Sequence, residues 1–82
     1  MDFGEAIRLL KLGNKLSREG WNGRGIFIKI KYPETNSDMT GPYIYIDTTG
    51  LMTDNIKAPK SMVPWLASQT DMLSNDWVVY IA

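Results

Sequence analysis

Ser68-Gln69-Thr70-Asp71, just behind Pro64 and Trp65, is the stretch of this chain with the most specific chemistry. A hydroxyl at Ser68 and a carboxylate three residues on make the pattern of a reciprocal helix cap. Ser68 accepts from the amide of Thr70 or Asp71, and Asp71 reaches back to the amide of Ser68. A helix start leaves unpaired N–H groups and a partial positive charge, which suit an anion such as a phosphate. With Trp65 as an aromatic wall beside it, this end could hold a base and its phosphate together. A plainer reading stands next to it: a cap that starts a short helix, with Trp65 and Trp77 in the core.

A second group of chemically capable residues is Arg18-Glu19-Gly20-Trp21-Asn22-Gly23-Arg24-Gly25. Arg18 and Arg24 flank a glycine-rich turn and could grip phosphate or ribose oxygens; they read otherwise as solvated surface charges. Trp21 on that turn either faces a ligand or folds back over the edge of a sheet. Trp21, Trp65 and one of Tyr43 and Tyr45 offer faces for stacking, worth about 1–3 kcal/mol per base. Asn22, Ser68, Gln69, Thr70 and Asp71 supply donors and acceptors for hydroxyls and base edges.

Catalysis is hard to build from this inventory. The 82 residues include no histidine and no cysteine, which removes the commonest general base and the thiolate ligands. The carboxylates are scattered without metal-ligand spacing, and Gly23-Arg24-Gly25 is far too short for a phosphate loop. Nine basic and nine acidic residues cancel, which argues against a nucleic-acid polymer as partner. The acidic opening Met1-Asp2-Phe3-Gly4-Glu5 has no signal-peptide character, and no apolar run approaches the length of a membrane span. These features predict a soluble protein of a reducing cytosol.

The elements that must position these residues follow from periodicity. Residues 2–12 predict a helix, with Asp2 as N-cap, Glu5 completing a capping box and Gly13-Asn14 ending it. Residues 15–18 predict a short strand, and 26–32 alternate cleanly, with Ile26, Ile28 and Ile30 on one face. Residues 43–47 give a further alternating strand, 51–53 a short return strand, and 61–63 another before Pro64. A short helix is expected at 69–74, then a last strand at 77–81 that is apolar on both faces and hence central in the sheet or covered by a partner. The fold class is α+β: one domain over 1–82, an N-terminal helix packed on a mostly antiparallel sheet, and a short second helix before the C-terminal strand.

Three blocks form an ordered set: Met1-Asp2-Phe3-Gly4-Glu5-Ala6, Arg18-Glu19-Gly20-Trp21-Asn22-Gly23, and Pro64-Trp65-Leu66-Ala67-Ser68-Gln69-Thr70-Asp71-Met72-Leu73 with Asp76-Trp77. The set resembles the second Thoeris anti-defence family, small phage and prophage proteins first catalogued as a domain of unknown function. The resemblance implies a sponge, not an enzyme, that sequesters the glyco-cyclic ADP-ribose signal made by TIR-domain proteins. It also implies that some similar members hold cyclic dinucleotides at separate sites, and that members form homotetramers with pockets between subunits. The resemblance moves Trp21, Asn22 and the Ser68–Asp71 run toward the pocket. Together with the chemistry above, it makes the expected ligand-binding set Phe3, Arg18, Trp21, Asn22, Gly23, Arg24, Trp65, Ser68, Gln69, Thr70 and Asp71. It implies no catalytic residue, metal or cofactor, and action in the cytoplasm of the infected bacterial host. Asp71, being anionic, is expected to meet ribose hydroxyls or a base N–H, not a phosphate. Residues 32–61 carry no family motif. The competing readings are a phage structural or protein-interaction module without a small ligand, and an enzyme that consumes the ligand.

Overall fold

The computed structural model describes residues 1–81, and its elements run in the α+β order that the sequence predicts. Helix α1 (Phe3–Lys11) starts at Asp2, whose Oδ1 accepts from the Glu5 amide at 2.8 Å. The capping box there is only half built, because the Glu5 carboxylate turns to Arg8 one turn along the helix instead of back to Asp2. The helix ends as predicted. Gly13, at φ +96°, lets its own amide reach Leu10 O and the Asn14 amide reach Leu9 O, which satisfies the last carbonyls. One face of α1 buries Ala6 and Leu10 completely.

Five strands form one sheet in the order β4-β3-β2-β1-β5, every neighbouring pair antiparallel. They are β1 (Leu16–Arg18), β2 (Phe27–Lys31), β3 (Tyr43–Asp47), β4 (Met62–Pro64) and β5 (Trp77–Val79). The register Ile28↔Ile46 and Ile30↔Ile44 puts these isoleucines on the face that α1 covers. The alternate residues Phe27, Lys29, Lys31, Tyr43 and Tyr45, with Ser17 and Val78, therefore share the opposite face. Helix α2 (Gln69–Leu73) lies between β4 and β5 in the chain and contacts α1.

Two expectations need correction. The last strand is not central: β5 is an edge strand, paired only with β1. Of the apolar residues in 77–81 only Trp77 is fully buried within the chain. Val79 and Ile81 are 38% and 87% exposed, so cover by a partner stands as the expectation for these two. Trp77 plugs the core beneath α1, and the outward-facing Trp77 amide donates to Met1 O at 3.1 Å. Residues 51–53 do not form a strand either; Met52 makes a single isolated bridge to Arg24. At the other edge, β4 runs through Pro64, which has no N–H to offer a further strand.

The fully buried apolar core is small: Ala6, Leu10, Leu16, Ile28 and Trp77. It is completed by an aromatic cluster. Phe3, Trp21 and Trp65 stand around Trp77 with ring centroids 5.4, 5.4 and 6.1 Å from it, the two tryptophans edge-on. The Trp77 indole N–H is not wasted in this apolar setting, donating to Asp71 O at 2.9 Å.

Candidate functional site

Asp71 is where the two chemically rich stretches of the sequence meet. Its residue exposure is only 9%, and both carboxylate oxygens are engaged within the chain. Oδ2 accepts from the Ser68 amide at 3.1 Å while Ser68 Oγ accepts from the Asp71 amide at 3.0 Å, so the capping box read from the sequence is complete. Oδ1 accepts from Arg18 at 2.8 Å and from the Trp21 indole N–H at 3.2 Å. Arg18 turns its Nε to Asp76 Oδ1, also at 2.8 Å, and the other Asp76 oxygen accepts from the Gly20 amide at 2.8 Å. One guanidinium thus ties the start of α2 to the start of β5 and to the glycine-rich turn.

The electrostatics follow from that geometry. Burial alone would push the Asp71 carboxyl up, but the Arg18 guanidinium, the Ser68 amide and the Trp21 N–H together hold it below its ordinary value. Arg18 is the main reason that Asp76 is also held low, with help from the Gly20 amide. The two carboxylates in turn hold Arg18 more firmly protonated, Asp76 contributing most.

Beside this network lies a cleft of about 390 Å³. Arg18, Trp21, Gly23 and Arg24 line one side, and Ser17, Val78 and Tyr80 form its floor on the sheet face away from α1. Tyr80 is braced there by Phe27, ring centroids 4.9 Å apart. The two arginines differ in kind. Arg18 has its charge consumed by Asp71 and Asp76, and its side chain is 13% exposed. Arg24 is exposed, and its guanidinium makes no ion pair among the described residues, so it is the cation free to meet an anion.

The structure therefore sorts the sequence candidates into groups. Arg18, Trp21, Gly23 and Arg24 line the cleft. Phe3 and Trp65 sit in the aromatic cluster, half-buried, and Asn22 is exposed on the turn without lining the cleft. Ser68, Gln69 and Thr70 are exposed at the start of α2, outside the cleft. That helix has only five residues, so little dipole stands behind it for an anion. Trp21 folds back onto Trp77, as one of its two sequence readings has it, and one side of it lines the cleft.

Sequence reasoning missed Asp76, Val78 and Tyr80. The alternation of the last strand was the available signal for the floor: with Trp77 facing the core, Val78 and Tyr80 share the opposite face. A second cleft of about 350 Å³ lies toward the β4 edge, lined by Lys31, Met39, Tyr43, Tyr45 and Met62 among others. Among the described residues no three His, Cys, Asp or Glu side chains gather as metal ligands, and no helix is long and apolar enough to cross a membrane.

Residues 1–80 match the family described as the Tad2-like, Thoeris anti-defense 2-like domain. Over 81 residues the sequence is 37% identical to the protein named Thoeris anti-defense 2 from Bacillus phage SP01. That alignment takes in 94% of this chain and 91% of the phage protein.

Proposed function

The chain belongs to the Thoeris anti-defense 2-like family, and from that premise we propose that it is a phage sponge. It binds the glyco-cyclic ADP-ribose signal of TIR-domain proteins in the cytoplasm of the infected host and withholds it without degrading it. The observation that carries this reading is the cleft of about 390 Å³, within the size range of about 300–1,000 Å³ for small-ligand sites. It pairs two aromatic rings, Trp21 and Tyr80, with the unpaired Arg24. Rings suit a purine, and a guanidinium suits a pyrophosphate. The ionisable groups lining it are Arg18, Glu19, Arg24 and Tyr80, with a single carboxylate and no histidine, a poor set for acid–base hydrolysis and a good one for holding. The whole chain acts as one sequestering unit, assembled as a homotetramer, and cyclic dinucleotides are further ligands of the assembly.

Calorimetric titration with cyclic ADP-ribose isomers and cyclic dinucleotides tests the reading. Binding is expected, with the ligand recovered intact after the complex is denatured. Arg24→Gln weakens the ADP-ribose ligands by about one to two decades, roughly 1.4 kcal/mol per decade, with the melting temperature unchanged. Consumption of the ligand makes the protein an enzyme. Indifference of the melting temperature to every ligand leaves the protein-interaction reading, which the exposure of Leu66 (91%) and Leu73 (79%) favours.

A further inference from the structure

We propose that the turn at residues 48–52 is a positioning element of the cleft: it holds Gly23 and Arg24 in place from behind, without touching what the cleft binds. The ligand part of this inference rests on the sequestration reading above. The glycine-rich turn that walls the cleft is pinned on both sides of the exposed Asn22. Its leading half is fixed by the Gly20 amide on Asp76 and the Trp21 indole on Asp71. Its trailing half, which carries the free cation, leans on residues 50–52 instead. The Met52 amide donates to Arg24 O at 3.0 Å. Leu51 packs so closely under Gly23 that a Cβ added there would lie 2.5 Å from Leu51 Cδ1. Gly25, at φ +86°, is pressed against the Gly50 carbonyl, so that any side chain there would overlap it.

The 48–52 turn is itself firmly built, which is what a support requires. The Leu51 amide closes it on Thr48 O at 3.0 Å. Thr48 exchanges backbone and side-chain hydrogen bonds with Ser61 ahead of β4, and Thr49 is held by Asp47 Oδ1 at the end of β3. None of residues 48–52 lines the cleft, so their effect passes entirely through Gly23, Arg24 and Gly25. A segment with three glycines in six residues, 20 to 25, loses much conformational entropy if it must be ordered by the ligand. A support that orders it beforehand removes that cost from binding.

Leu51→Ala, which withdraws the support from Gly23, and Gly50→Ala, whose new Cβ would lie 2.9 Å from Gly25 O, test the proposal on the full chain. Leu51→Met refills the space, and Ile56→Ser, at a side chain 97% exposed, serves as control. Amide NMR spectra of the first two should show shifts confined to residues 22–25 and 50–52, with α1 and β2 unmoved. Hydrogen exchange at the Met52 amide should quicken. Affinity for cyclic ADP-ribose should fall about tenfold, or about 1.4 kcal/mol, while the melting temperature falls by only a few degrees. Leu51→Met should restore both readouts, and Ile56→Ser should leave them as in the parent. Amides of 22–25 that stay in place in both variants overturn the proposal, as does an unchanged affinity once they have moved. Should the parent protein take up no cyclic ADP-ribose, the sequestration reading fails with that probe. The NMR shifts alone then decide whether the turn positions Gly23 and Arg24.

Discussion

Asp71→Asn keeps the shape of a side chain that serves three partners and removes the charge that Arg18 answers. Arg18 and the Trp21 indole both donate to Oδ1, and the Ser68 amide donates to Oδ2, so an amide group must turn an N–H toward at least one donor. A hydrogen bond to a charged group is worth about 1.5–3 kcal/mol, and this carboxylate is nearly enclosed. The variant should therefore melt several degrees lower, and it should also bind less well, because Arg18 and Trp21 line the cleft. The pH dependence has a definite sign. Asp71 and Asp76 are held below their ordinary values in the folded chain, so the unfolded chain takes up protons first as pH falls. Their stabilisation is complete above the ordinary aspartate value of about 4 and drains away as pH drops through the lower folded values. Melting curves should be flat from neutral pH down to about 5 and fall steeply below 4, with a shallower acid limb in Asp71→Asn. A limb of equal steepness in parent and variant would remove Asp71 from this account. The pairing with Arg18 was not legible beforehand, because it joins residues 53 apart in the chain. The capping half of the same carboxylate was legible, because it needs only a neighbour three residues away.

Local elements divide along that line. The cap of α2, the glycine stop of α1 and the alternation of β2 all depend on partners within a few residues, and each is found where the sequence places it. The place of β5 in the sheet depends on which strand it pairs with, and an apolar run cannot distinguish a central strand from an edge strand that plugs a core. The 51–53 segment failed for a related reason: β3 finds its neighbour in β4, leaving Met52 only Arg24 to bridge. Ser68→Ala isolates the cap. It removes the acceptor for the Asp71 amide but leaves Arg18 and Trp21 in place, at a cost of about 0.5–2 kcal/mol. In a domain of this length each kcal/mol lowers the melting temperature by about 4–8 °C. Ser68 lies outside the cleft, so ligand affinity measured well below the melting point should hold within about threefold, under 1 kcal/mol. A larger loss of affinity would make the α2 start part of the ligand site, as the sequence first suggested.

For the molecule as a whole, the question is what covers so much exposed apolar surface on a chain whose net charge is zero. Leu66 and Leu73 flank the start and end of α2 at 91% and 79% exposure, and Met62 and Val63 on β4 are 58% and 45% exposed. A small fully buried core beside exposed side chains of this size suggests burial against further copies. Sheet extension is a poor route for it. Pro64 gives the β4 edge no N–H at that position, and Met1 already occupies the Trp77 amide on the β5 edge. Association should therefore run through side-chain faces, and its response to salt distinguishes it from a charge-driven one. Light scattering at micromolar protein should give a tetramer mass that persists in 1 M sodium chloride, where the screening length is about 3 Å. Leu66→Ser combined with Leu73→Ser should lower that mass while the circular dichroism of each chain is kept. A monomer mass for the parent, or a tetramer that dissolves in salt, would place the driving force elsewhere than in these leucines.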